Sequence, residues 1–366
     1  MRAQLEIFFT REWQRSSGWQ ILLQPFAWLF VAVTASRRYL YRYGQHRQHG
    51  LCAVFNFAVP VIVIGNISVG GTGKTPLVIA LSRALADRGR IVGIVTRGYA
   101  RHGLHSGDAA PASDEVILLG QRGAAPVVAD ARRVAAVEQL LTRYPATNVV
   151  IADDGLQHYA LARDIEIAVV DGARGFGNGY RLPAGPLRES IARLKSVDCI
   201  VVNNTNLNAS ADAHPTLADL PDATGKPVFS MTYGLESFIP LAHQQQQQQK
   251  QQQKFSVEPF HHFAQGKRIA AVAGIGHPER FFTHLESLGM VLHSRHAFAD
   301  HHPFVARDLD KIDADLILMT EKDAVKCAGL VLLAASRVWQ MQVDALLPDA
   351  FYDFIAAKLE KISHVT

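Results

Sequence analysis

The segment SVGGTGKT, residues 68 to 75, combines closely spaced glycines with a lysine and a hydroxyl residue, a pattern suited to holding phosphate. Gly70, Gly71 and Gly73 let backbone N–H groups approach an oxyanion, and a helix starting directly afterwards adds positive potential from its N-terminus. In such a loop Lys74 reaches the β- and γ-phosphates and Thr75 offers its hydroxyl to a magnesium ion. Residues Gly70, Gly71, Thr72, Gly73, Lys74 and Thr75 are therefore candidates for binding ATP with Mg2+. Ser68 stands where the general G-x-x-x-x-G-K-[ST] pattern has glycine. Pro76 fits a first helical turn, where the N–H it lacks would have no partner.

A second constellation lies in NVVIADDGLQH, where Asp153 and Asp154 follow an apolar run. In a parallel sheet every strand end opens on the same edge, so these carboxylates can reach a cation held by Thr75. Two adjacent carboxylates repel, and a divalent cation relieves the repulsion. A plain Asp-Gly turn is the competing reading. Further pieces are weaker singly. TRGYA (96 to 100) leaves a strand at the same edge, and RLPAGPLRES (181 to 190) presents Arg181, Arg188 and Glu189 on a constrained loop. FADHHPF (298 to 304) sets Asp300 beside His301 and His302, without the third spaced ligand a zinc site needs. Asp114 and Glu115 alone read as solvated surface.

These residues need a scaffold that brings strand ends together. Short Val/Ile-rich runs at 59–65, 91–96, 126–129, 148–152, 165–170 and 199–202 alternate with amphipathic stretches, the rhythm of a parallel sheet buried on both faces. Leu77, Leu81 and Leu85 recur every four residues and Gly89 closes that stretch. The expected fold is α/β, a doubly wound P-loop sheet at 51–225, with a smaller α/β domain at 226–366. Within the latter, QQQQQQKQQQK (244 to 254) has no apolar anchor and is expected to be a solvent-exposed loop.

The 366 residues suffice for two cores, and a net charge of +4 is too small to argue for nucleic acid. Cys52, Cys199 and Cys327 form no C-x-x-C pair, which fits a reducing compartment. Residues 1–50 carry seven arginines against Glu6 and Glu12, and WQILLQPFAWLFVAVTA (19 to 35) lies between arginine pairs. The run falls short of the roughly 20 apolar residues of a spanning helix and contains Gln20, Gln24 and Pro25. A secretory signal would export an ATP-using chain away from ATP. The favoured reading is a membrane-interfacial helix with Trp19 and Trp28 at headgroup depth and arginines on anionic lipid, while a buried core helix stays open.

Taken in order, GNISVGGTGKTP, TRGYA, DE at 114 and 115, GAAPVVADARR, DDGLQH, RLPAGPLRE, GIGHPERFF, FADHH and TEKDAVK resemble the tetraacyldisaccharide 4'-kinase family, the lipid A 4'-kinases. The resemblance runs from about residue 10 to residue 326. It implies transfer of the ATP γ-phosphate to the 4'-hydroxyl of a tetraacylated glucosamine disaccharide 1-phosphate, on the cytoplasmic face of the bacterial inner membrane, by a peripheral or monotopic enzyme. No obligate protein partner is implied. By position, Asp114 looks like the general base with His301 tuning it, and Asp153, Asp154 and Glu189 look like the magnesium group. The residues around Asp114, PASDEV, differ from the Val-Gly that often precedes Asp-Glu in the family. A P-loop ATPase switch is the reading from another class. It would not need GIGHPERFF, FADHH and TEKDAVK, and a soluble small-molecule kinase would not need residues 19–35.

Overall fold

The computed structural model describes residues 9, 12–15, 17–44, 53–97, 113–204, 220–241, 254–300, 302–327, 330 and 335–363. They form two compact units, Met1–Thr232 with Ala345–Thr366, and Tyr233–Asp344.

The first unit begins with a 3-10 turn, Gly18–Leu23, that runs into helix α1 (Gln24–Gly44). Pro25 falls in the first turn of α1, where proline does not break a helix. Beyond it come β1 (Val61–Gly65), α2 (Lys74–Asp87), β2 (Val92–Thr96), α3 (Asp114–Arg122), β3 (Val127–Ala129), α4 (Arg133–Arg143), β4 (Val149–Asp153), β5 (Ile165–Asp171), β6 (Cys199–Asn203), α5 (Leu220–Thr224) and the start of β7 (Val228–Pro240). The strand order is β7-β6-β5-β1-β4-β2-β3, and each of these pairings is parallel. All six apolar runs are strands, and β1, β2, β4, β5 and β6 are buried along their whole length because helices cover both faces. On α2 the every-fourth-residue leucines Leu77, Leu81 and Leu85 are buried. Each contributes about 1.5–3 kcal/mol by leaving water.

The strand order decides where chemistry can occur. β1 lies between β4 and β5, with Ile64 in register with Asp153. The loop leaving β1 and the carboxylates ending β4 are therefore neighbours on one sheet edge, at the point where the winding direction changes.

In α1 the sequence left a core helix open, and the structure decides against it. Gly18–Tyr41 is long and apolar enough to cross a membrane by length and composition, with only 11% of its apolar window buried. Ile21, Leu22, Phe26, Trp28, Leu29 and Val33 are exposed. The segment is tied down by polar bonds instead. Gln20 is fully buried, its amide N–H donates to Glu12 O and Arg15 O, and its Oε1 accepts from Asn178 Nδ2 at 3.0 Å. Trp19 Nε1 donates to Glu12 Oε2 at 2.9 Å, so this indole is held by the protein, unlike Trp28.

The second unit contains the end of β7, β8 (Phe255–Ser256), α6 (Val257–Ala264), β9 (Ile269–Ala273), α7 (Pro278–Ser287), β10 (Leu292–Ala297), α8 (Ala306–Asp310), β11 (Leu316–Thr320), α9 (Glu321–Ala324) and most of β12 (Val338–Leu346). Here β10-β9-β11-β12 is a parallel sheet around Phe238, Phe260, Phe282 and Trp339. The TEKDAVK motif locks this unit internally. Asp323 is fully buried and accepts from Gly274 N (2.9 Å), Thr320 Oγ1 (2.7 Å) and Lys326 Nζ (2.7 Å), so it joins the end of β11 to the GIGHP loop. The tract at 244–253 lies outside the described residues.

The last helix, α10 (Asp349–Ser363), belongs to the first unit, whereas the sequence reading carried the smaller domain to residue 366. Phe351 and Phe354 meet Phe229 at 5.4 and 5.8 Å between ring centroids, and Lys358 Nζ reaches Asp198 Oδ1 at 2.5 Å. Those partners are more than a hundred residues away in the chain and cannot be read locally.

Candidate active site

The loop between β1 and α2 has the conformation its glycines allow. Gly70 and Gly73 have φ of 103° and 87°. A Cβ on Gly70 would sit 2.7 Å from Arg174 Nη1, and one on Gly73 would run into the Asn203 side chain. Both conformation and space thus demand glycine at these two positions. Arg174 Nη2 donates to Gly71 O at 2.6 Å and Asn203 Nδ2 to Thr72 O at 3.1 Å, tying two loop carbonyls to the ends of β5 and β6. The RLPAGPLRES segment lies along the other side. Val69 N donates to Pro186 O at 2.8 Å and Arg188 N to Ile67 O at 2.7 Å.

Lys74, the first residue of α2, projects its ammonium between two acceptors. Nζ lies 3.2 Å from Asn66 Oδ1 and 3.2 Å from Asp154 Oδ1. Arg188 Nη1 stands 3.7 Å from Asp154 Oδ2. Burial works to raise the Asp154 pKa, but Lys74 and Arg188 outweigh it and hold the carboxyl below its usual range. Asp154 also has φ of 50°, a left-handed conformation uncommon outside glycine, which turns it off the strand line.

Asp153 has a different environment. It is 3% exposed, and its Oδ2 accepts from Thr96 Oγ1 at a long 3.4 Å. Burial first, then the charges of Glu115 and Asp154, push it up to about 6 against the pull of Lys74 and Arg133. Its Oδ1 is buried without a hydrogen-bond partner among the described residues. Arg133, itself 2% exposed, donates to Asp153 O at 3.0 Å and to Asp130 O at 2.9 Å, fixing the backbone of the pair.

A buried carboxylate oxygen lacking a donor among the described residues, next in the chain to a second carboxylate, has the chemistry to face a hard cation. Among the described residues no group of three His, Cys, Asp or Glu side chains forms a metal cage.

Glu189 is brought to this edge but is engaged by the protein. Oε1 accepts from Gln157 Nε2 at 2.8 Å and Oε2 from Tyr159 OH at 2.5 Å, with Arg193 Nε 3.6 Å away. Gln157 Nε2 also donates to Asn66 O at 3.0 Å, so a chain of polar contacts runs from Arg193 to the residue that receives Lys74. Arg181, on the same loop, is near Glu189 electrostatically, and burial holds its pKa down.

Asp114 opens α3 and Glu115 follows it, both half-buried rather than solvated surface. Glu115 acts on Asp153 electrostatically, which places the first turn of α3 at the same edge. His301 and residues 98–100 of TRGYA lie outside the described residues. Within the second unit, His302 Nε2 pairs with Asp308 Oδ2 at 2.9 Å.

Beside Lys74 and Asp154 opens a cleft of about 500 Å3. Asp154, Arg188, Glu189, Gln157, His158 and Tyr159 line it from the sheet edge, and Phe30, Thr34 and Arg37 line it from α1. Burial, then Arg133, Arg37 and Arg97, push His158 down to about 4, with Asp154 opposing them. The imidazole is neutral at ordinary pH. Asn66, Gln157, His158 and Arg133 all fall inside segments quoted from the sequence, yet only their neighbours had been singled out. Arg174 and Asn203 had no local signal, since each acts on the loop from more than a hundred residues away.

The sequence profile described as Tetraacyldisaccharide-1-P 4'-kinase matches residues 19–360. The tetraacyldisaccharide 4'-kinase of Chromobacterium violaceum is 42% identical over 359 residues, 96% of this chain and 97% of that protein. That of Dechloromonas aromatica is 43% identical over 344 residues, 92% of each. A crystal structure of LpxK from Aquifex aeolicus in complex with ATP superposes with a TM-score of 0.71 at 24% identity, covering 93% of this chain and 99% of that one, and shows the same fold. With the phosphate loop, the carboxylate pair and the cleft at one sheet edge, and with similarity along nearly its full length, the chain belongs to the tetraacyldisaccharide-1-P 4'-kinase family.

Proposed function

We propose that this chain transfers the γ-phosphate of ATP to the 4'-hydroxyl of a tetraacyldisaccharide 1-phosphate, a step of lipid A biosynthesis, at the cytoplasmic face of the inner membrane. The observation that carries the reading is one cleft lined both by Asp154, the ion-pair partner of Lys74, and by Phe30, Thr34 and Arg37 of the largely exposed apolar helix α1. A kinase acting on a lipid needs both, because the acyl chains stay in the bilayer while the headgroup must reach the nucleotide.

Phosphoryl transfer asks mainly for positioning and neutralisation of charge. The loop amides of Gly70 to Gly73 bind phosphate oxygens, and Lys74 turns from Asp154 and Asn66 toward the β- and γ-phosphates. Thr75, Asp153 and Asp154 would hold Mg2+, which when bound neutralises charge on the phosphates. Glu189 supports this group through Gln157 and Tyr159. Asp114 takes the proton of the 4'-hydroxyl and His301 tunes it, roles carried over from the family resemblance. The exposed apolar face of α1 and the neighbouring arginines seat the enzyme on the membrane as a peripheral or monotopic protein.

The test is a phosphotransfer assay with γ-labelled ATP, magnesium and detergent-dispersed tetraacyldisaccharide 1-phosphate, beside a control without lipid. Label on the lipid, lost with Lys74→Ala, is the expected result. Free phosphate released at the same rate without lipid, with no labelled lipid, would assign the chain to the ATPase switches.

A further inference from the structure

The connection from β4 to β5 is unusual for a parallel sheet. Both strands pair parallel with β1, so residues 154–164 must return from one sheet edge to the other. Such crossovers usually contain a helix, which satisfies most of its own carbonyls. This one contains none, although it carries Asp154, Gln157, His158 and Tyr159 to the cleft. Its carbonyls find another donor in Arg163. Nε donates to Leu161 O at 3.1 Å, Nη1 to Leu156 O at 3.0 Å and Nη2 to His158 O at 2.5 Å. The same guanidinium lies 5.5 Å from the centroid of the Tyr159 ring.

Arg163 is itself held by Glu166 on β5. Glu166 Oε1 accepts from Arg163 Nη1 at 2.8 Å and from Arg193 Nη2 at 2.6 Å. Glu166 is buried, so its charge needs these partners. Arg193 in turn lies beside Glu189, which accepts from Gln157 and Tyr159. The contacts close a ring through Arg163, Tyr159, Glu189, Arg193 and Glu166, in which two guanidiniums balance two carboxylates. That ring fastens the turn after Asp154 to the segment bearing Arg188 and Glu189. Neither Arg163 nor Glu166 lines the cleft, so any effect they have on the reaction passes through these two segments.

We propose that Arg163, fixed by Glu166, is a positioning residue for phosphotransfer. It supplies the hydrogen bonds that a helix would give this crossover and so sets where Asp154 and Gln157 stand. The inference rests on the functional reading above and deepens it. Lysine would keep the charge opposite Glu166 but not the planar fork that reaches three carbonyls. The phosphate loop is held separately, by Arg174 and Asn203. Loss of the fork therefore acts on turnover and spares ATP binding, since misplacement by about 1 Å costs about a hundredfold.

Phosphotransfer from γ-labelled ATP to detergent-dispersed tetraacyldisaccharide 1-phosphate is measured for wild type, Arg163→Lys and Arg163→Gln, well below the melting midpoint of each. kcat should fall about tenfold in Arg163→Lys and about a hundredfold in Arg163→Gln, with KM for ATP within about threefold of wild type. Arg163→Lys keeps the charge pair with Glu166, so it carries the test if Arg163→Gln does not fold. Gln157→Ala is then combined with Arg163→Lys. The double variant should lose much less than the product of the two single losses, because both act through one turn. A normal kcat in Arg163→Lys, whatever its melting midpoint, would make Arg163 a stability residue only and overturn the proposal. A KM for ATP raised in step with the loss of kcat, or single losses that multiply, would equally overturn it. No labelled lipid with wild type would overturn the functional reading itself, and the positioning role with it.

Discussion

Lys74 Nζ stands 3.2 Å from Asp154 Oδ1, so the loop after β1 and the carboxylates after β4 meet in one ion pair. The two residues are eighty apart in the chain, and the β1–β4 pairing brings them together. That contact gathers the nucleotide side of the site.

Lys74→Ala removes charge that acts most strongly as phosphate leaves ATP. Turnover should fall by at least about a hundredfold. Steady-state kinetics with saturating ATP checks this, and near-normal kcat in that variant would falsify the phosphate-loop assignment.

Gly73→Ala should damage the loop itself. With φ of 87° and Asn203 in the path of a Cβ, alanine forces the loop or Asn203 to move, at a cost of about 1–3 kcal/mol. Loss of ATP affinity with a lowered denaturation midpoint is expected. Unchanged ATP affinity would mean that the loop adapts without losing its anion site.

Asp114→Asn should lower kcat about a hundredfold and leave ATP affinity within about threefold, because a base is needed only for the acceptor proton. A normal kcat would move the base to another residue, and Glu115, beside Asp153 in the field of the site, would be the next to replace.

His158 gives a pH signature in stability. In the folded chain it protonates only near pH 4, whereas an unfolded histidine does so near 6.5. Between those values the unfolded state binds more protons, so stability falls as pH drops from 6.5 toward 4. His158→Gln should flatten that slope by about 1–2 kcal/mol after allowance for partial exposure. Denaturant titrations at pH 7 and pH 4.5 read it out, and an unchanged slope would show that the histidine is not held neutral.

Trp28→Glu with Leu29→Glu should weaken vesicle binding by tenfold or more and spare the fold, since both side chains are exposed. Flotation with liposomes measures the first and circular dichroism the second. Undiminished flotation would place membrane attachment elsewhere on the chain.

Much of the first unit was legible without coordinates. Strands such as VIVIG and the leucine ladder of α2 are local patterns, because a buried strand or an amphipathic helix must repeat its apolar residues at the period of its own backbone. The phosphate loop was legible for the same reason, as its glycines, lysine and threonine act within eight consecutive residues. Long-range choices were not. Only tertiary structure decided that Glu189 is held by Tyr159, Gln157 and Arg193, that α10 returns to the first unit, and that Arg37 faces the cleft while Arg38 does not. Each of those outcomes depends on which surfaces pack together, and residue type and spacing along the chain do not specify the partner.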